Sequence, residues 1–99
     1  MNHYPFHIGD YIKSTVHLNN EEDLAYRRLI ELYYDTERAI MPDTKTVTRR
    51  LRISYEVICR ILGEFFVEKT DGWHNKRCDE EIEKYHRLIE SNSNAGKAS

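Results

Sequence analysis

Two short helical segments joined by a tight turn within residues 43–66, with an Asp-Gly hairpin signal directly behind them, predict a mainly α fold with a small β-hairpin. The order is that of a winged helix, a helix-turn-helix plus wing, with an extended N-terminal segment before it and an extra C-terminal helix behind it. The chain has 99 residues, 39% hydrophobic and 32% charged, which suits one small globular domain with a modest core. That domain is expected over residues 1–90. The remainder, 91–99, is SNSNAGKAS: small, polar and unable to pack, so it reads as a flexible linker or tail.

The opening YPFHIGDYIKSTVHL mixes aromatic and β-branched residues with Pro5 and Gly9, and predicts an extended segment with a short strand near Ile12–Val16. A helix should start at Asn19, which can cap, with Glu22 placed for a capping box and Glu21, Glu22 and Asp23 filling the positive first turn. Behind it Ala25, Leu29 and Leu32, and Tyr26, Ile30 and Tyr33, share i, i+4, i+7 spacing. So wide an apolar face predicts a central helix. Pro42 marks a boundary, and Asp43 or Thr44 can cap a short helix through about Leu51 with Val47 and Leu51 inward.

Arg52-Ile53 is the tight connection, and Ser54 is expected to cap the next helix, whose inward stripe is Val57, Ile58, Ile61, Leu62 and Phe65. Tyr55, Glu56, Cys59 and Arg60 occupy its other face. Runs 65–69 and 73–77 flank Thr70-Asp71-Gly72, and an Asp-Gly turn of this kind wants positive φ at both central residues. A last helix is predicted from about Asp79 to Ile89, with Ile82, Tyr85 and Ile89 on one side.

Several chemistries have no footing. No apolar run approaches the roughly 20 residues of a membrane span, and MNHYPFHIGD is not a basic, apolar secretion leader. Cys59 and Cys78 are too few for a disulfide scaffold and fit reduced thiols in a cytoplasmic protein, one on a helix surface and one buried. His3 and His7, and His74 and Cys78, are each four apart, but Pro5 and a predicted strand spoil the geometry, so no metal is expected. The acidic runs Glu21-Glu22-Asp23 and Asp79-Glu80-Glu81 serve helix starts better than acid–base catalysis. There is no Gly-rich phosphate loop and no G-x-S-x-G. No enzyme activity and no cofactor are expected.

Charge distribution says more than the net −2. Residues 43–62 carry five basic side chains against two acidic ones, between acidic stretches at 19–38 and 79–91. In a helix-turn-helix the second helix enters the major groove while flanking cations grip phosphates. Ser54, Tyr55 and Arg60 would then approach bases, and Lys45, Arg49, Arg50 and Arg52 would neutralise phosphates. Lys69 and Lys76, on the hairpin, would touch phosphate or the minor groove, although Glu64, Glu68 and Asp71 offset the wing's charge. The rival reading is a set of ordinary solvated charges. Most aromatic residues fall on core faces rather than on a stacking surface; Tyr11 and Tyr55 are the least easily placed.

Four blocks, Tyr4-Pro5-Phe6-His7-Ile8-Gly9-Asp10-Tyr11, Glu22-Asp23-Leu24-Ala25-Tyr26-Arg27-Arg28-Leu29, Leu32-Tyr33-Tyr34 and Asp71-Gly72-Trp73-His74-Asn75-Lys76-Arg77-Cys78-Asp79-Glu80-Glu81-Ile82, run in order through the chain. Together they resemble the YdaU-type domain, a domain of unknown function at the N-terminus of phage and prophage replication proteins. The resemblance covers roughly residues 3–90 and is least distinct over Thr44–Arg60. It implies a module of a phage replication initiator or helicase-loading protein in the bacterial cytoplasm, and SNSNAGKAS resembles the start of that family's linker. The expected function is a duplex-DNA-binding domain of such a protein. The alternatives are a module docking a replicative helicase or its loader, or a small phage transcriptional regulator. The amphipathic last helix is also a candidate for homodimer formation.

Overall fold

Helix α1 spans Ile8–Thr15, where the sequence predicts extended chain and a strand near Ile12–Val16. The computed structural model describes residues 8–41 and 44–98, and the side chains of all of these except 44, 45 and 92–98. The first seven residues of the expected extended segment lie outside that description. In α1 the inward side is made by Tyr11 and Thr15, one turn apart. Thr15 Oγ1 donates to the Tyr11 carbonyl at 2.7 Å, and the Tyr11 hydroxyl donates to Asp23 while its ring stacks on Tyr26 at 6.1 Å and lies under Arg27. Ile8, Ile12 and Val16, at i, i+4, i+8, face solvent.

Helix α2, Asn20–Thr36, starts as its sequence dictates. Asn19 accepts from the Glu22 N–H at 2.8 Å and Glu22 accepts from the Asn19 N–H at 3.1 Å, a complete capping box. It ends where Glu37 turns left-handed at φ 55° and donates its N–H to the Tyr33 carbonyl. Ala25 and Leu29 are fully buried, and α2 packs against α3, α4 and α5 and meets α1 through Tyr11, so it is the central helix. The chain then runs extended through Ile40, which exchanges both backbone hydrogen bonds with Trp73 at 2.8 and 2.9 Å.

Helix α3 is Thr44–Leu51, with Val47 and Leu51 buried as expected. Its capping candidate Asp43 and the Thr44 side chain lie outside the described residues. Arg52 makes the tight connection in left-handed conformation at φ 57°. Helix α4, Tyr55–Phe65, buries Val57, Ile58, Ile61 and Leu62. Ser54 occupies the N-cap position, but its hydroxyl makes no capping hydrogen bond and lies instead 3.5 Å from Glu21.

The hairpin is shorter than its sequence suggests. Strands β1, Val67–Lys69, and β2, Gly72–His74, pair antiparallel with Lys69 opposite Gly72. The turn residues are Thr70 and Asp71, and the positive φ falls on Gly72 alone, at 129°. All of β1 is exposed.

Asn75 ends the strand and starts helix α5, Lys76–Ala98, three residues before the expected Asp79. Its Oδ1 accepts from the Cys78 N–H at 3.0 Å and its Nδ2 donates to the Phe65 carbonyl at 3.2 Å. Lys76 is therefore in the first turn of α5, not on the hairpin. The helical backbone also runs through 91–98, past the helix end expected near Ile89. The whole is mainly helical with one small antiparallel sheet. Its core gathers Leu29 and Tyr33 from α2 with Ile58, Ile61 and Leu62 from α4, and includes Phe66 and Cys78.

Candidate functional site

The basic residues on and around α3 and α4 divide into two groups. Arg49, in the last turn of α3, and Arg52, just beyond it, are exposed and make no ion pair among the described residues. Arg50 reaches across to Asp35 at 2.8 Å, with both groups in solvent. An exposed pair of this kind contributes about 0–1 kcal/mol, so a polyanion can compete for the arginine. Arg28 on α2 donates to the Leu51 carbonyl at the end of α3. Arg28, Arg50 and Arg52 line a cleft of about 330 Å³ between α2 and α3, which also holds Glu31 and Asp35. The side chain of Lys45 lies outside the described residues.

The residues assigned to base reading have acidic neighbours. Arg60 on α4 pairs with Glu22 at 3.3 Å and Glu56 at 3.5 Å, and Ser54 faces Glu21. The acidic first turn of α2 therefore lies against α4. The hydrogen bond from the Asn19 N–H, with a smaller contribution from Arg60, holds the Glu22 carboxyl below its ordinary value, so it stays charged beside α4. Glu64, further along α4, is paired with His17. Tyr55 is 45% exposed. Lys69 on β1 and Lys76 at the start of α5 are exposed and make no ion pair among the described residues.

A second constellation escaped the sequence reading. His74, at the end of β2, places Nε2 2.7 Å from Asp71 Oδ1 and Nδ1 3.3 Å from Asp79 Oδ2. The Tyr33 hydroxyl donates to Asp79 and sits 3.2 Å from His74 Nδ1. Glu37, Arg38 and Met41 border the same open cleft, of about 400 Å³. The hydrogen bond to Asp71, opposed by partial burial and reinforced by Asp79, raises His74 above its ordinary 6.5. Burial first, then Asp79, pushes the Tyr33 phenol up as well. The signal was the spacing of Asp71, His74 and Asp79 around a strand exit. Only the fold brings Tyr33 to them.

Among the described residues no three His, Cys, Asp or Glu side chains are placed to hold a metal; His3 and His7 lie outside them. Burial pushes the Cys78 thiol up to about 12, which leaves it inert at neutral pH.

These features define a small, mainly helical domain with a two-stranded sheet. Among the described residues no helix is long and apolar enough to cross a membrane. The chain belongs to the family described as "Protein of unknown function (DUF1376)", which it matches over residues 2–83. It is similar to the "Uncharacterized protein YdaU" of Escherichia coli (strain K12), with 31% identity over 94 residues. That alignment covers 94% of this chain and 33% of the relative, so the chain spans about a third of the relative's length. No solved structure matches it.

Proposed function

We propose that this is a non-enzymatic winged-helix domain that binds duplex DNA as part of a phage or prophage replication initiation protein in the bacterial cytoplasm. The order α2, the Ile40 bridge segment, α3, α4, β1, β2 supports the fold reading, with Ile40 pairing to β2 as a short third strand of the wing sheet would. The observation that carries the function is the exposed pair Arg49 and Arg52 at the turn between α3 and α4, free of ion pairs among the described residues. They would take phosphates, with Arg50 released from Asp35 and Lys69 at the wing, and Lys45 of α3 is the further phosphate candidate. Because Glu21, Glu22 and Glu56 surround Ser54 and Arg60, phosphate grip outweighs base reading, and one domain should bind weakly with a steep salt dependence.

Fluorescence anisotropy with labelled duplex at about 50 and about 200 mM salt tests this, because phosphate contacts set the slope over that range. Saturable binding, lost in Arg49→Glu/Arg52→Glu, supports the reading. No duplex binding at low salt overturns it.

The second reading is a protein-docking module for a helicase or its loader. The acidic groups around α4 favour it, as do the exposed Ile8, Ile12 and Val16. Loss of a co-purifying replication partner on Ile12→Asp, with no DNA binding, would establish it. A homodimer through α5 would use the exposed Leu88 and Ile89.

A further inference from the structure

We propose that His74 is a proton-operated latch that fastens the hairpin to α5 and α2 as an imidazolium and releases Asp79 when neutral. Both ring nitrogens face carboxylate oxygens, Nε2 at Asp71 and Nδ1 at Asp79. An imidazolium has two N–H donors and satisfies both; a neutral ring has one. The shorter contact is to Asp71, so the neutral ring keeps its proton on Nε2 and turns an Nδ1 lone pair towards Asp79.

Tyr33 completes the device. Its hydroxyl has one proton, given to Asp79 in the closed state, and it also lies 3.2 Å from Nδ1. When Nδ1 loses its proton, its lone pair faces the Asp79 oxygen and only the Tyr33 hydroxyl still donates to Asp79. Asp79 is then held to α2 and no longer to the hairpin, while 43% of its side chain already reaches solvent. The hairpin turn, the end of α2 and the first turn of α5 meet at this point, so one proton sets how firmly three elements are joined. Other charged groups at the site are Glu37, which His86 on α5 engages, Arg38, and Lys69 on β1, whose charge acts on Asp71. The flanking Ala39 and Met41 do not titrate.

The sign follows from linkage. With its folded value raised above 6.5, His74 contributes stability that is full below the unfolded value and lost as pH rises through the folded one. The test is NMR titration of the intact chain, following the His74 ring, the Asp79 carboxyl carbon and the amides of Gly72 and Trp73. The latch requires a His74 midpoint above 6.5, with the Asp79 carboxyl and both amides shifting at that same midpoint. Asp71→Asn should lower the midpoint most and Asp79→Asn less; in His74→Gln the concerted shifts should vanish. A His74 midpoint at or below 6.5, or Asp79 and the hairpin amides silent while His74 titrates, overturns the proposal. The wild-type titration decides alone if a variant does not fold.

Discussion

The guanidinium of Arg28 on α2 donates a hydrogen bond to the backbone carbonyl of Leu51 at 2.5 Å. Leu51 is the last residue of α3, so its carbonyl has no helical partner and sits at the negative end of the helix. One cation thus ties the central helix to the start of the turn that carries Arg52. Arg28→Met should cost about 1.5–3 kcal/mol in urea unfolding, the range for a hydrogen bond involving a charged group. Arg28→Lys should recover part of that loss and not all, because a lysine lacks the planar fork.

Asn75 is 9% exposed and serves two elements at once, capping α5 through Cys78 N–H and satisfying the Phe65 carbonyl behind α4. Asn75→Ala removes the cap and orphans that carbonyl, for a loss of about 1–3 kcal/mol. Asn75→Asp keeps the cap but has no donor for Phe65, and should fall between the two. Thermal melts of the three proteins check the order.

A methyl group at Gly72 would lie 2.8 Å from the Ile40 carbonyl oxygen and 3.2 Å from the Ala39 Cβ, at a φ of 129°. Backbone, not a flexible side chain, is in the way. Gly72→Ala should therefore separate Ile40 from Trp73 and cost about 1–3 kcal/mol from the strained φ alone. Loss of exchange protection at the Ile40 and Trp73 amides, with the α2 and α4 amides retained, is the expected pattern.

Acid should destabilise the fold through its hydrogen-bonded carboxylates. Glu22 is held below 4.5 chiefly by the Asn19 N–H, Glu37 by His86, and Asp71 below 3.8 by His74. Their folded values are depressed, so their stabilisation is present above the unfolded values and lost as pH falls through the folded ones. Glu22→Gln preserves the capping-box geometry but cannot titrate. Its melting temperature should fall less than that of wild type between about pH 6 and about pH 3, where carboxylates protonate.

Helices whose apolar stripe faces the core were legible residue by residue. Asn19 and Glu22 start α2 as their types require, and the stripe from Val57 to Leu62 is buried along α4. Helix α1 was not legible, because its i, i+4, i+8 stripe of Ile8, Ile12 and Val16 faces solvent while Tyr11 and Thr15 make the inward contacts. The β-branched residues then read as strand. The start of α5 was misplaced because Asn75 read as part of a strand, when it is the cap. At the basic site the cluster Arg49–Arg52 was visible as composition. Glu56 meets Arg60 at i, i+4 spacing within α4, but Glu21 and Glu22 come from α2, more than thirty residues away, and no local spacing announces them. Tyr33 joins His74 and Asp79 across a similar separation.

The bridge between Ile40 and Trp73 also bears on self-association. A two-stranded sheet has two edges whose unpaired amides can recruit a strand from another molecule. Here the backbone at Ile40 occupies one of them at β2. The other, along β1, is three residues long and displays Glu68 and Lys69, charges of both signs that a growing cross-β stack would have to desolvate. Gly72, by letting Ile40 approach, keeps the β2 edge covered, so a side chain there should open it to strand pairing and aggregation. The population to watch for it is therefore fibrillar or amorphous aggregate formed by Gly72→Ala, not unfolded monomer alone.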